Sequence, residues 1–285
     1  MKKIILGILL SLGVNAFAKN SSLPVLTLTE KSVINMNQEF TDESITAVAK
    51  KAKEMDSALA SGEPITLVID SPGGGIDAGL QLIEILNSLN RPVNTLTLFS
   101  ASMGFHTVQG LGNRYITEDA TLMTHKARGG FSGEFPGQLD SRYSYYLKRI
   151  LRMNEKVVAR TNGKHTLKSY NALHENEFWC DGADCLKEGL VDKVVTAKCD
   201  KTLSGERTEV QKFFFMGMPI ILELVYDKCP LLRTPLDVKI SIGGEDAFAK
   251  RNSYDTLDKD IVTALDAKVK TIIKDRTNRN VIRGY

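Results

Sequence analysis

The sequence predicts an α/β fold built from stacked β-α units around a parallel sheet. Short apolar runs at 65–69 and 93–98 read as buried strands. Amphipathic helical patterns at 42–60 and 76–89 alternate with them. Strand, helix, strand, helix in that order is the pattern of a parallel sheet with helical crossovers. The chain has 285 residues, 42% hydrophobic and 25% charged, which is globular composition and enough for one large domain with an addition. The net charge is +3 and no long basic cluster occurs, so nothing points to a nucleic-acid partner.

Taken in order, residues 1–18 are a targeting segment rather than fold. Lys2 and Lys3 precede an apolar run at 4–14, and Ala16-Phe17-Ala18 makes a small-residue cleavage pattern before Lys19. The apolar run is too short to span a bilayer, and no cysteine follows it to carry a lipid. The expectation is a cleaved signal peptide, no stable membrane span afterwards, and a periplasmic or secreted mature protein. Short strands are expected at 25–29 and 32–35. Thr41 or Asp42 caps a helix whose buried face holds Ile45, Val48, Ala49, Ala52, Met55 and Leu59. The strand at 65–69 runs into Ser71-Pro72-Gly73-Gly74-Gly75, a sharp turn, and a helix at 76–89 puts Leu80, Ile83, Leu86 and Leu89 inward. Short strands follow at 115–116 and 121–124. Glycine-rich 126–137 is read as irregular, and a long helix is expected at 138–160.

Four cysteines, Cys180, Cys185, Cys199 and Cys229, would enter an oxidising compartment. Three pairings are possible. Sequence proximity favours Cys180 with Cys185 and Cys199 with Cys229; buried free thiols are the alternative. No CxxC or histidine cluster accompanies them, so a metal site is not expected.

The chemistry concentrates after the strand at 93–98, in Ser100-Ala101-Ser102-Met103-Gly104. A serine between small residues at a strand-to-helix turn is how a nucleophile is exposed beside its own backbone amide. The bland reading of Ser102 is a helix cap. Ser71 to Gly74 upstream and Leu122-Met123-Thr124-His125 downstream change that weighing, because they add a glycine loop and a histidine.

SPGG, SASMG and LMTH in this order resemble the proteolytic subunit of the Clp protease, and Gly189-Leu190-Val191-Asp192 extends the match over roughly 32–195. The resemblance implies a ββα superhelix shared with crotonases and a serine peptidase without cofactors. It assigns Ser102 as nucleophile and His125 as general base. The amides of Gly74 and Met103 become the oxyanion hole, with Gly73 and Gly75 shaping the substrate-binding loop. Counting back from Gly189 places Glu177 where the family has an aspartate; Asp181 is the alternative third member. The family also has heptameric rings, a "handle" helix at the position of 138–160 and an ATP-driven unfoldase. Export away from ATP removes the unfoldase from the expected partners, leaving a peptide or protein substrate and a homo-oligomer.

Three other functions compete. A Ser/Lys dyad, as in signal-peptide-peptidase-like proteases, would use Lys126, but neighbours on a strand face opposite ways. A crotonase-like acyl-CoA enzyme does not account for the Ser/His pair. A non-enzymatic assembly protein on a protease scaffold would explain the departure at Glu177. Residues 198–285 lie beyond the resemblance and read as a small α+β segment, with strands at 213–215, 219–225 and 238–242 and a helix at 258–273. The expected division is therefore 1–18, 19–197 and 198–285.

Overall fold

A computed structural model of the chain describes residues 22–58, 63–215, 218–242 and 245–246. The leader expected at 1–18, the end of the first helix with Leu59 and the helix expected at 258–273 lie outside the described residues. The centre is a six-stranded sheet. Its strands are β2 (Val33–Met36), β3 (Ile65–Ser71), β4 (Val93–Ala101), β5 (Arg114–Thr124), β6 (Phe178–Cys180) and β7 (Lys193–Val194), β1 (Val25–Leu28) lying apart from it. The order is β2-β3-β4-β5-β6, with β7 also on β5. β2 to β5 are parallel, and β6 returns antiparallel along the end of β5.

One face is covered by α1 (Asp42–Ala58), α2 (Ile76–Asn87) and α3 (Met103–Gly110), with the end of α4 (Gly137–Ala159). Ile65, Leu67 and Ile69 of β3 point into that helical layer, and Val68 points the other way with Leu96 and Leu98 of β4. Burial on both faces explains why these strands are continuous apolar runs rather than alternating ones. The second face carries a parallel pair, β1 with β8 (Thr196–Cys199), so that Leu28 and Val195 pack on Val68 and Leu96.

The strands expected at 115–116 and 121–124 are one strand. β5 stays paired to β4 because an irregularity between Thr97 and Phe99 absorbs the exposed Glu118-Asp119 step. The helix expected at 138–160 forms as α4, but of its apolar stripe only the last part is core. Met153 and Val157 are buried, whereas Tyr143, Leu147 and Leu151 are exposed. Two short helices were not legible in the sequence: α5 (Leu167–Leu173), closed by a Thr166–Ser169 capping box, and α6 (Gly182–Lys187), capped by Asp181.

After β8 come β9 (Glu206–Phe215), β10 (Met218–Asp227), β11 (Asp237–Ile242) and β12 (Glu245–Asp246), an antiparallel sheet that contains the three strands expected there. This sheet is tied to the parallel one. The sulfurs of Cys199 and Cys229 are at bonding distance, with Cα atoms 5.9 Å apart. Leu231 packs against the cluster that holds Leu28, Val68 and Leu98, Arg233 forms a two-pronged ion pair with Asp70 at the end of β3, and Asn37 Nδ2 donates to Glu209 Oε1 at 2.9 Å. Cys180 and Cys185 form the other bonded pair, Cα atoms 5.3 Å apart, joining β6 to α6. Among the described residues no helix is long and apolar enough to cross a membrane.

Asp192, from the Gly189–Asp192 motif, does structural work. Arg114 at the start of β5 is 1% exposed, and its guanidinium reaches Asp192 Oδ1 at 2.6 Å, Gln109 Oε1 at 2.6 Å and the Arg160 carbonyl at 2.9 Å. Burial pushes the Asp192 carboxyl up, and the hydrogen bonds and charge of Arg114 more than offset this, holding it below the usual aspartate range. A carboxyl lowered on folding contributes stability that is fully present above its unfolded pKa and lost as pH falls through the folded one. Replacing Arg114 by Met should cost about 2–3 kcal/mol, because it strands part of a buried ion pair. Asp192→Asn should flatten the acid side of the stability curve below about pH 4. Urea unfolding at several pH values checks both; an unchanged midpoint in Arg114→Met would contradict the first.

Candidate active site

Register brings the three motifs together. In the β3–β4 pair Ser71 lies opposite Ser100, and in the β4–β5 pair Ala101 lies opposite Met123. The residues just past the three strand ends, Gly73-Gly74, Ser102 and His125, are therefore neighbours. The crevice beyond the carboxyl ends of parallel strands is the usual ligand position in such sheets.

Ser102 sits between β4 and α3 with φ 55° and ψ −115°. This is a strained conformation for a residue with a Cβ, costing of order 1–3 kcal/mol, and such strain clusters at functional sites. It is held by its N–H donating to the Met123 carbonyl at 3.0 Å and its carbonyl accepting from His106 N at 3.3 Å. The hydroxyl makes no helix-capping bond. It lies 2.8 Å from His125 Nε2, where with the ring proton on Nδ1 the serine O–H donates to the imidazole.

The glycine loop packs directly on Ser102. A Cβ on Gly73 would lie 2.6 Å from Ser102 Cβ and 2.9 Å from Met103 N, and Gly73 has φ +100°. No other residue type fits there without moving the serine. The loop is fixed from behind. Phe40 N donates to the Gly73 carbonyl at 2.8 Å, Gly75 N donates to the Phe40 carbonyl at 2.9 Å, and Gly73 N donates to Ser71 Oγ at 3.2 Å. This bridge between Phe40 and Gly74 turns the Gly74 N–H away from Phe40. Met103 is the first residue of α3, so its N–H has no partner within the helix. Gly74, Ser102 and Met103 all line one cavity of about 680 Å³. Ile76, Leu147, Ile150 and Met153 form an apolar wall, and His106, His174, Lys126, Arg128 and Glu175 supply polar groups.

His125 follows the last residue of β5, Thr124, whose hydroxyl is 3.1 Å from the buried Tyr170 hydroxyl. Tyr170 in turn stacks on Phe105 of α3. Burial lowers the His125 pKa below its ordinary 6.5 and the Arg128 charge lowers it further, opposed by Glu177 and by a backbone bond at Lys126. The imidazole is thus neutral, and able to accept a proton, at neutral pH. Burial also pushes His106 down to about 4, and lowers His174, whose Nδ1–H donates to the Tyr170 carbonyl at 2.8 Å. Neither wall histidine was assigned to the site from sequence.

Glu177 lies at the head of β6 with φ 70°, close enough for its charge to act on His125. Its hydrogen bonds, however, go elsewhere: Arg128 Nη2 donates to Oε1 at 2.8 Å and Trp179 Nε1 to Oε2 at 3.4 Å. Asp181, the alternative, accepts from Asp184 N at 3.0 Å as the cap of α6. Lys126 pairs with Glu175. Among the described residues no cluster of three or more His, Cys, Asp or Glu side chains could hold a metal.

A Clp protease family model matches residues 18–198. The ATP-dependent Clp protease proteolytic subunit of Streptococcus mutans serotype c is 29% identical over 137 residues, covering 46% of this chain and 68% of its own length. The match spans the sheet, its helices and all three strand-end motifs, and this chain belongs to the Clp protease family of peptidases.

Proposed function

We propose that this chain is an exported, ATP-independent serine endopeptidase. The observation that carries the proposal is the 2.8 Å contact between Ser102 Oγ and His125 Nε2 at a strained strand-to-helix turn. In this reading Ser102 Oγ attacks the peptide carbonyl carbon while His125 Nε2 takes its proton. The carbonyl oxygen, now negative, accepts from the Gly74 and Met103 amides, and the start of α3 adds the favourable end of its dipole. Collapse breaks the C–N bond, and His125 returns the proton to the leaving amine. Water then hydrolyses the Ser102 ester by the same steps in reverse roles.

Glu177 supports His125 through its negative charge. The Lys126–Glu175 pair argues against a Ser/Lys dyad, since that ammonium is engaged away from Ser102. Two bonded cysteine pairs fit export to an oxidising compartment, and the exposed apolar residues of α4 fit self-association into an oligomer.

Single alanine variants of Ser102 and His125 should lower kcat/KM on a casein-derived peptide almost equally, by at least about 10³-fold, and the double variant should be little worse. Glu177→Gln should cost less than either, and Lys126→Ala should be mild. An active His125→Ala enzyme would overturn the mechanism, and absence of any hydrolysis would favour the assembly-protein reading.

The activity profile should also reflect the lowered His125 pKa. Activity requires the neutral base, so kcat/KM should rise on an acid limb whose midpoint lies below 6.5. A midpoint above 6.5 would contradict the site's electrostatics. Export is checked separately: protein recovered from outside the cytosol should begin at or near Lys19, and an N-terminus at Met1 would remove the signal-peptide reading.

A further inference from the structure

Arg128 occupies an unusual position for a substrate-site residue. It stands on the segment following His125, lines the cavity, and its side chain is 79% exposed. Its partner is Glu177, the carboxylate whose charge acts on His125. Both oxygens of Glu177 are occupied, one by Arg128 and one by the Trp179 indole, and neither by the imidazole. Glu177 is therefore shared between two cations, the guanidinium and, during turnover, the imidazolium.

The ion pair that holds Glu177 is weak. Exposed pairs of this kind contribute about 0–1 kcal/mol, because water competes for both charges. A guanidinium also takes a carboxylate in two-pronged geometry more readily than an ammonium does. A second carboxylate placed at the cavity mouth would thus compete with Glu177 for Arg128. The neighbouring pair, Lys126 with Glu175, is similarly exposed at 57% and 56%, and the charge of its acid acts on His174.

We propose that Arg128 is a specificity-determining residue that selects peptides bearing a carboxylate near the scissile bond, and that capture of this carboxylate frees Glu177 to serve His125. The inference rests on the hydrolase reading above. It predicts that an acidic substrate is favoured in kcat and not only in binding, because the exchange changes the support of the base. The carboxylate has two possible sources, an Asp or Glu side chain or the free C-terminus of the peptide.

The test uses the mature protein and a set of matched peptides. One arm compares Glu with Gln at each position flanking the cleaved bond; the other compares a free with an amidated C-terminus. Fluorophosphonate labelling of Ser102, which involves no peptide carboxylate, is run beside it. The wild type should prefer one carboxylate peptide by roughly twofold to fivefold, expressed mainly in kcat. Arg128→Gln should bring that ratio to near one while raising kcat on the neutral peptide, and Lys126→Gln should keep the ratio. Equal rates on both peptides in the wild type, a ratio that survives Arg128→Gln, one that is lost in Lys126→Gln, or an effect confined to KM would each overturn the inference. Labelling that succeeds at Ser102 in such a case leaves the hydrolase reading standing. Failure to label Ser102 removes that reading and this inference with it.

Discussion

Parallel pairing of β3, β4 and β5 in one fixed register is the constraint on which the rest of the site depends. Ser71 opposite Ser100 and Ala101 opposite Met123 bring three strand ends level. A slip of one residue would turn each strand's side chains to the other face of the sheet. Such a slip is strongly opposed because both faces are buried: Leu67 and Ile69 enter the helical layer, and Val68 and Leu96 meet β1 and β8. Core packing, rather than any contact among the polar residues, is what sets Ser102 beside His125.

The site then spends part of the stability that the core supplies. Ser102 keeps an unfavourable backbone conformation, and Gly73 and Gly74 keep positive φ, because the surroundings leave no alternative. Phe40 clamps the glycine loop, the Met123 carbonyl holds the serine amide, and Tyr170 with Thr124 fixes the end of β5. Gly79 of α2 completes the arrangement: a Cβ there would lie 2.2 Å from the Met103 side chain, so the helix must be bare where Met103 packs. These supports come from elements far apart in sequence, and the assembly is cooperative for that reason. The antiparallel sheet after β8 belongs to the same structure. Arg233 grips Asp70 one residue before Ser71, and the Cys199–Cys229 pair anchors the segment that carries it.

Much of this was legible from residues alone. Apolar runs bounded by Gly and Pro marked β3, β4 and α2, whereas Ser102 and His125 were singled out by the resemblance that SPGG, SASMG and LMTH carry, since a lone serine at such a turn reads as a helix cap. What was hidden was short or depended on register. β6, with three residues, is too brief for any periodicity, and β5 was divided because Glu118-Asp119 interrupts its pattern where a bulge tolerates exposure. His106 lies four residues after Ser102 on α3, where the spacing by itself reads as packing, and His174 lies at the end of a different helix, α5, so only the fold brings it to the cavity. Glu177 was singled out, with Asp181 as the alternative, by counting back from Gly189 in the family match, but its engagement by Arg128 follows from two loops meeting, which sequence spacing does not encode. The apolar stripe at 138–160 left open whether its partner lies within the chain or outside it, because the pattern looks the same in both cases; the fold buries Met153 and Val157 and leaves Tyr143, Leu147 and Leu151 exposed.

The most direct measurement is a crystal structure of the mature protein after reaction with a fluorophosphonate, a tetrahedral mimic of the acylation intermediate. The account predicts phosphorus bonded to Ser102 Oγ, with the phosphonyl oxygen about 2.7–3.1 Å from both the Gly74 and Met103 amide nitrogens. His125 Nε2 should remain within hydrogen-bond reach of Ser102 Oγ. An adduct on another residue, or a phosphonyl oxygen turned to solvent away from the two amides, would contradict it.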